Sequence, residues 1–167
     1  MDELAHITAC DYDWAEEHFQ ERISEKPTNP GESYKRWPYA TFKEGEDPYM
    51  EGKLFSHTYQ ERFWPKIAGY QEEAIGINKR TDYLPLNSGV RYEFGDLNDV
   101  IKQLSENHYT RQAYLPIFFP EDTGAKGDIR VPCTLGYYFW INPNNGQLEC
   151  NYIIRSCDAL RHFRNDV

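Results

Sequence analysis

The sequence predicts a single domain of the α/β (α+β) class, with helices flanking a mixed β-sheet. Two observations carry this prediction. Apolar residues recur at helical spacing before residue 107, and apolar runs separated by a turn signal follow residue 110. The chain has 167 residues, of which 40% are hydrophobic and 16% aromatic, so it can bury a core of its own. We therefore expect one domain over 1–167.

The first 25 residues predict a helix, with Trp14, Phe19 and Ile23 interpreted as one apolar face. The segment Lys26–Gly31 contains two prolines and a glycine, which end the helix. Proline, glycine and charged residues dominate residues 34–52 and predict an irregular arm along the surface.

Two further helices are predicted before the sheet. Residues 57–67 carry a helical pattern that Pro65 stops or bends. The next helix has Asp96 as its expected N-cap and Asn107 as its expected end. Its apolar face is formed by Leu97, Val100, Ile101 and Leu104.

The sheet is predicted from three apolar runs in the C-terminal part of the chain. Residues 110–119 predict one strand, and residues 131–141 and 147–155 predict two more. The last two runs are joined by residues 142–146, whose Asn-Gly pair is a strong hairpin signal because it readily adopts positive φ.

Composition limits the classes of function. The formal net charge of −9 disfavours general nucleic-acid binding, although a few arginines in one pocket still suffice for a small phosphorylated substrate.

No apolar run approaches 18 residues, and Asp2 and Glu3 do not fit a signal peptide, so we expect a cytoplasmic protein without a membrane span. No metal site is expected, since cysteine and histidine spacing fits none. Cys150 and Cys157 are expected to be packing residues.

Cys133 is the exception among the cysteines. It and Arg155 lie about equally far from the hairpin turn, so cross-strand pairing should bring them together. A guanidinium beside a thiol favours the thiolate, which is the nucleophilic form. These two residues therefore predict an activated cysteine.

The same residues carry a resemblance to a known family. Val131-Pro-Cys-Thr134, an aromatic strand, and then the Arg-Ser-x-Asp pattern that starts at Arg155 resemble the signature of thymidylate synthases. The ending Phe163-Arg-Asn-Asp166 resembles the deoxycytidylate hydroxymethylase branch known from bacteriophages. The resemblance is strong over 129–167, moderate over 88–118 and thin before that.

The resemblance implies a thymidylate synthase-like fold and a one-carbon transfer. The expected reaction converts dCMP, 5,10-methylenetetrahydrofolate and water to 5-hydroxymethyl-dCMP and tetrahydrofolate. The partners that it implies are a pyrimidine nucleoside monophosphate, the folate as co-substrate, and a second copy of the chain in a homodimer. Family members run longer, so we expect this domain to lack its C-terminal part.

The family's roles transfer to matching positions. Cys133 would add to C6 of the pyrimidine, and Arg155 would hold the nucleotide phosphate and favour the thiolate. Ser156 would donate to the same phosphate. Asp158 would lie near the base and the folate ring.

Upstream, the segment Glu61–Trp64 resembles the family's Glu-x-x-Trp helix. The resemblance implies that Glu61 organises water and moves protons at the base; a solvated helix residue is the alternative. Trp64 would border the folate pocket. Thr110 and Arg111 resemble the Ser-Arg-Arg segment that one subunit extends into its neighbour's phosphate site, although the second arginine is Gln112 here.

Position 166 is the most informative for the substrate. Eleven residues after the Arg-Ser-x-Asp arginine, thymidylate synthases place an asparagine that binds uracil, and this count reaches Asp166. A carboxyl that is protonated or shares a proton with N3 matches the acceptor and donor of cytosine. A gap of one residue would instead place Asn165 there and restore uracil.

Other functions stay open. Within the class they are thymidylate synthase itself, which methylates dUMP, and a dUMP or CMP hydroxymethylase. In another class, the chain is a non-catalytic nucleotide-binding or assembly protein, because it has no counterpart of the family's later His-x-Tyr element, which contacts the sugar hydroxyl.

Overall fold

The computed structural model describes residues 11–36, 50–51, 54–55, 57–68, 95–123 and 131–157. Its helices are α1 (Tyr12–Ile23), a 3-10 helix (Glu32–Arg36), α2 (Tyr59–Phe63), α3 (Leu97–Glu106) and α4 (Pro120–Thr123). Its strands are β1 (Met50–Glu51), β2 (Leu54–Phe55), β3 (Tyr114–Pro116), β4 (Thr134–Ile141) and β5 (Leu148–Ile154). The α+β class predicted from the sequence is confirmed.

Helix α1 begins where the Asp11 carboxylate accepts a hydrogen bond from the Trp14 amide at 3.1 Å, and it ends at Ile23. The predicted shared apolar face is wrong, because Phe19 is 53% exposed while Trp14 is 2% exposed. Five residues correspond to about 140° of rotation at 3.6 residues per turn, so Trp14 and Phe19 point in different directions. Residues 34–36, the first three of the segment predicted to be irregular, instead belong to the 3-10 helix Glu32–Arg36.

The bend at Pro65 is confirmed. Helix α2 ends at Phe63, Trp64 interrupts it, and residues 65–68 are helical again. The predicted limits of α3 are also confirmed, since the Asp96 carboxylate accepts from the Asp99 amide at 3.1 Å and the helix ends at Asn107. Of the predicted apolar face, Val100 is buried whereas Ile101 is half exposed.

The β4–β5 hairpin is the central element of a three-stranded sheet with the order β3-β4-β5. The turn is the predicted one: Gly146 has φ of 72°, and its amide donates to the Asn142 carbonyl at 2.8 Å. Strand β3 spans three residues rather than the ten predicted. All pairings among the described strands are antiparallel, so the predicted mixed sheet is not what this part of the chain forms.

The core lies between one face of this sheet and helices α2 and α3. Its buried members are Phe63, Trp64, Val100, Ala113, Leu115 and Ile117. Arg62 of α2 fixes the segment after β3 through a bidentate ion pair with Asp122, with nitrogen–oxygen distances of 2.9 and 3.0 Å. No helix in the described part of the chain is long and apolar enough to cross a membrane.

Candidate active site

Cys133 lies directly before β4, at a bulge in the sheet. Thr134 pairs with Ile154, whereas Gly136 pairs with Ile153, so Leu135 is the extra residue. The Leu135 carbonyl accepts hydrogen bonds from two amides that follow β3, at 3.0 and 3.1 Å. Bulges are frequent beside functional sites because they redirect neighbouring side chains. Here the preceding Cys133 side chain is exposed to solvent.

The predicted proximity of Cys133 and Arg155 is confirmed. The Arg155 amide donates to the Cys133 carbonyl at 2.9 Å. The Arg155 guanidinium donates through Nε to the Pro132 carbonyl at 2.9 Å and through Nη2 to the Val131 carbonyl at 3.2 Å. A guanidinium has five N–H donors, so these two bonds leave donors for an anion. The side chain is thus aligned along the segment that carries the thiol.

A partly buried cluster of hydroxyl groups fixes this end of the hairpin. Thr134 is 0% exposed, and its hydroxyl donates to the Tyr59 oxygen of α2 at 3.3 Å and lies 2.9 Å from the Tyr152 oxygen. Tyr137 stacks on Tyr152, with ring centroids 4.9 Å apart. Burial raises the pKa of Tyr137 and of Tyr152, so both phenols stay protonated. Tyr137 and Tyr152 therefore position the strand and do not exchange protons near neutral pH.

The cluster continues into α1. The Arg22 guanidinium lies over the Tyr59 ring, 4.5 Å from its centroid. His18 Nε2 accepts from Arg22 Nε at 3.1 Å and lies 2.7 Å from Nη2, while His18 Nδ1 lies 2.9 Å from the Ser33 hydroxyl. Burial, and secondarily the charge of Arg22, lower the pKa of His18 to about 3. His18 is therefore neutral at pH 7, with Nε2 free of its proton.

Sequence reasoning missed His18, Arg22 and Tyr59. His18 appears in the sequence only as one of several scattered histidines. The available signal is the spacing of four between His18 and Arg22, which places both side chains on one face of a helix. Nothing in the sequence indicates that this face meets Tyr59 and, through it, the start of β4.

Glu61 and Trp64 occupy structural positions in α2. The Glu61 carboxylate accepts from the Thr58 amide at 2.8 Å and so completes a capping box with Thr58. It also accepts from the Asn29 side-chain amide at 3.2 Å. Trp64 is 2% exposed, and its indole N–H donates to the Arg22 carbonyl at 3.0 Å. The water-organising role of Glu61 and the folate contact of Trp64 stay predictions.

The remaining predicted site residues fall into two groups. Ser156 and Arg111 are both exposed, Ser156 next to Arg155 and Arg111 near the other end of the hairpin. Asp158, Asn165 and Asp166 lie outside the described residues.

The prediction that Cys150 and Cys157 are packing residues is wrong, because both are exposed. Cys150 belongs to β5, an edge strand whose side chains are only partly covered, and partial burial raises the pKa of its thiol. Among the described residues, no group of three or more His, Cys, Asp or Glu side chains is placed to hold a metal ion.

No protein-family model matches the chain, and no curated protein matches it. The site is therefore defined by its own geometry: an exposed cysteine and an arginine at the fixed end of a hairpin.

Proposed function

We propose that the protein is a pyrimidine nucleotide hydroxymethyltransferase with a thymidylate synthase-like fold. Its reaction converts dCMP, 5,10-methylenetetrahydrofolate and water to 5-hydroxymethyl-dCMP and tetrahydrofolate. The observation that carries the proposal is the exposed Cys133, held beside Arg155 by a backbone hydrogen bond of 2.9 Å. The Arg155 guanidinium donates to the carbonyls of the two residues that precede Cys133. An accessible thiol on such a segment suits covalent catalysis on a phosphorylated substrate.

Covalent catalysis by Cys133 gives the following sequence of bonds. The thiolate forms an S–C6 bond with the pyrimidine, and C5 becomes nucleophilic and bonds to the one-carbon unit of the folate co-substrate. Loss of the C5 proton and of tetrahydrofolate leaves an exocyclic methylene on C5. Water adds to this carbon and loses a proton, and cleavage of the S–C6 bond restores the ring and the thiolate.

The phosphate is proposed to bind at Arg155 and Ser156. Two Arg155 donors are used by the carbonyls of residues 131 and 132, and the others can bind phosphate oxygens. Arg111 lies near Tyr138, five residues beyond Cys133, which corresponds to about 16 Å along an extended strand. Arg111 is therefore too far from Cys133 of its own chain, which favours a homodimer in which it serves its neighbour's site.

The base and the folate are proposed to contact the other predicted residues. Asp166 would bind the cytosine edge, with Asn165 beside it, and Asp158 would lie between base and folate. Glu61 would move protons at the base; Tyr59, two residues earlier on α2, contacts Thr134 next to the nucleophile. A folate contact by Trp64 requires that its ring, 2% exposed, be uncovered when the folate binds.

Mass spectrometry of the products tests this proposal. The protein is incubated with methylenetetrahydrofolate and either dCMP or dUMP. We expect a gain of one CH2O unit on dCMP alone, and its loss in Cys133→Ser. Cys150→Ser, which changes another exposed cysteine of the same hairpin, serves as the matched control and should keep activity. A methyl product on dUMP would instead mean that Asn165 binds uracil, and no product from either nucleotide would contradict the proposal.

A mixing experiment tests the shared site. Arg111→Ala should raise KM for the nucleotide without preventing folding, because the side chain is exposed. Mixing this variant with Cys133→Ser should restore part of the activity, since one of the two sites in a mixed dimer then has both residues intact. Absence of recovery in verified mixed dimers would contradict the exchange of Arg111 between chains.

A further inference from the structure

A concave surface lies at the turn end of the hairpin, away from Cys133. It is an open depression of about 370 Å³. Its floor and walls include His108, Arg111, Tyr138, Trp140, Pro143 and Asn151. Small-molecule sites begin at about 300 Å³, so the depression has room for a compact ligand.

The aromatic side chains offer a surface for a flat ring. Tyr138 and Trp140 stack with their ring centroids 5.8 Å apart and their planes inclined by 25°. Tyr109, at the rim, is 74% exposed. Tyr138 and Trp140 are half-buried. Aromatic rings that are open to solvent on one face bind bases by stacking, with little preference for one base over another.

Arg111 and Asn151 add polar recognition. The Arg111 side chain is exposed, and no described residue lies within hydrogen-bond or ion-pair distance of its guanidinium. In a chain of net charge −9, this guanidinium is a local binding point for an anion. The Asn151 amide has both donors and acceptors for a base edge or a sugar.

We propose that this depression binds a nucleoside monophosphate, separately from the nucleotide over Cys133. The base stacks against Trp140 and Tyr138, and the phosphate binds Arg111. One arginine in an acidic protein suits a single phosphate and not a polynucleotide, whose binding depends on many cations. One Arg111 guanidinium cannot hold both phosphates at once, so a nucleotide in this depression competes with the exchange of Arg111 between chains. The site proposed here also requires Trp140 of the same chain.

Adenosine monophosphate is the suitable probe, because a purine cannot undergo the C6 chemistry assigned to Cys133. Its affinity is measured by calorimetry for the wild type, Arg111→Gln and Trp140→Leu. We expect each substitution to raise Kd at least about tenfold, the effect of losing one charge-assisted or stacking contact. Adenosine and inorganic phosphate should each bind at least about tenfold more weakly than the nucleotide, since each lacks one of the two contacts.

The matched control is Arg36→Gln. Arg36 is also an exposed arginine, but it pairs with Glu17 and neither residue lines the depression, so its loss should leave Kd unchanged. A shift of the Trp140 indole N–H resonance on titration reports binding in the unmutated protein, independently of whether the variants fold. No binding of adenosine monophosphate, or binding that neither Arg111→Gln nor Trp140→Leu weakens, would overturn the proposal. Loss of hydroxymethylase activity alone would not overturn the proposal that this depression binds a nucleotide.

Discussion

The two ends of the β4–β5 hairpin differ in how they are held. At the strand end, Thr134 is 0% exposed and contacts Tyr59 of α2 and Tyr152 of β5. At the turn end, Leu148 is 62% exposed, and the hydrogen bonds of the turn join residues within a few positions of each other. One end is thus fixed by distant parts of the chain and the other by its own local sequence.

This difference suits two kinds of chemistry. A covalent nucleophile must be held in one geometry, and Cys133 directly precedes the buried Thr134. A binding surface must be accessible, and the turn end leaves Trp140 and Arg111 within reach of solvent. The following substitutions measure how far the two ends differ, beginning with the largest effect.

Leu115→Ala and Leu148→Ala compare the same change in a buried and an exposed position of the sheet. Leu115 is 0% exposed and pairs with Tyr137, so its truncation should lower the free energy of unfolding by about 3 kcal/mol. The same change at Leu148 should stay within about 0.5 kcal/mol. Urea denaturation measures both, and equal losses would show that the turn end is as tightly packed as the strand end.

His18 makes the fixed region sensitive to acid. Because its folded pKa is lowered to about 3 from the usual 6.5, the unfolded chain takes up a proton below pH 6.5 that the folded protein does not. The stability that neutral His18 contributes is present above pH 6.5 and is lost as the pH falls toward 3. Between pH 7 and pH 5 this loss amounts to about 2 kcal/mol.

The prediction is measured as a difference between the wild type and His18→Gln. The difference between their free energies of unfolding should narrow by about 2 kcal/mol as the pH falls from 7 to 5. His108→Gln, a change in an exposed histidine at the turn end, should follow the wild-type profile throughout. A gap between wild type and His18→Gln that does not change with pH would contradict a neutral, buried His18.

Thr134→Val removes the hydroxyl that joins Tyr59 to Tyr152 while keeping the side-chain volume. Two half-buried phenols lose a hydrogen-bond partner, so the free energy of unfolding should fall by about 1 kcal/mol. Tyr138→Phe also deletes one hydroxyl, on the face of the sheet that forms the depression, and should cost less than about 0.5 kcal/mol. Similar costs for the two changes would mean that the hydroxyl cluster does not fix the strand end.

The sequence predicted the local features of the molecule well. The hairpin turn at residues 142–146, the limits of α3 and the bend at Pro65 follow from short-range rules of capping, turns and proline. The proximity of Cys133 and Arg155 also follows, because equal distances from a known turn fix the register.

The long-range features were not predictable from the same rules. The contacts of Arg22 with Tyr59 and of Tyr59 with Thr134 join segments 37 and 75 residues apart, and no local pattern encodes them. Phe19 does not share the buried face of Trp14, because five residues turn an α-helix by about 140°. Cys150 was misplaced because burial in an edge strand depends on what covers the sheet.

The reactivity of Cys133 tests the central claim most directly. The protein is treated with iodoacetamide at pH 7, and the labelling rate of each cysteine is followed by peptide mass spectrometry. We predict that Cys133 reacts faster than Cys150 and Cys157, which are also exposed, and that Arg155→Gln slows Cys133 alone by about tenfold. If Cys133 reacts no faster than the other two, or if Arg155→Gln leaves its rate unchanged, the strand end does not hold an activated nucleophile.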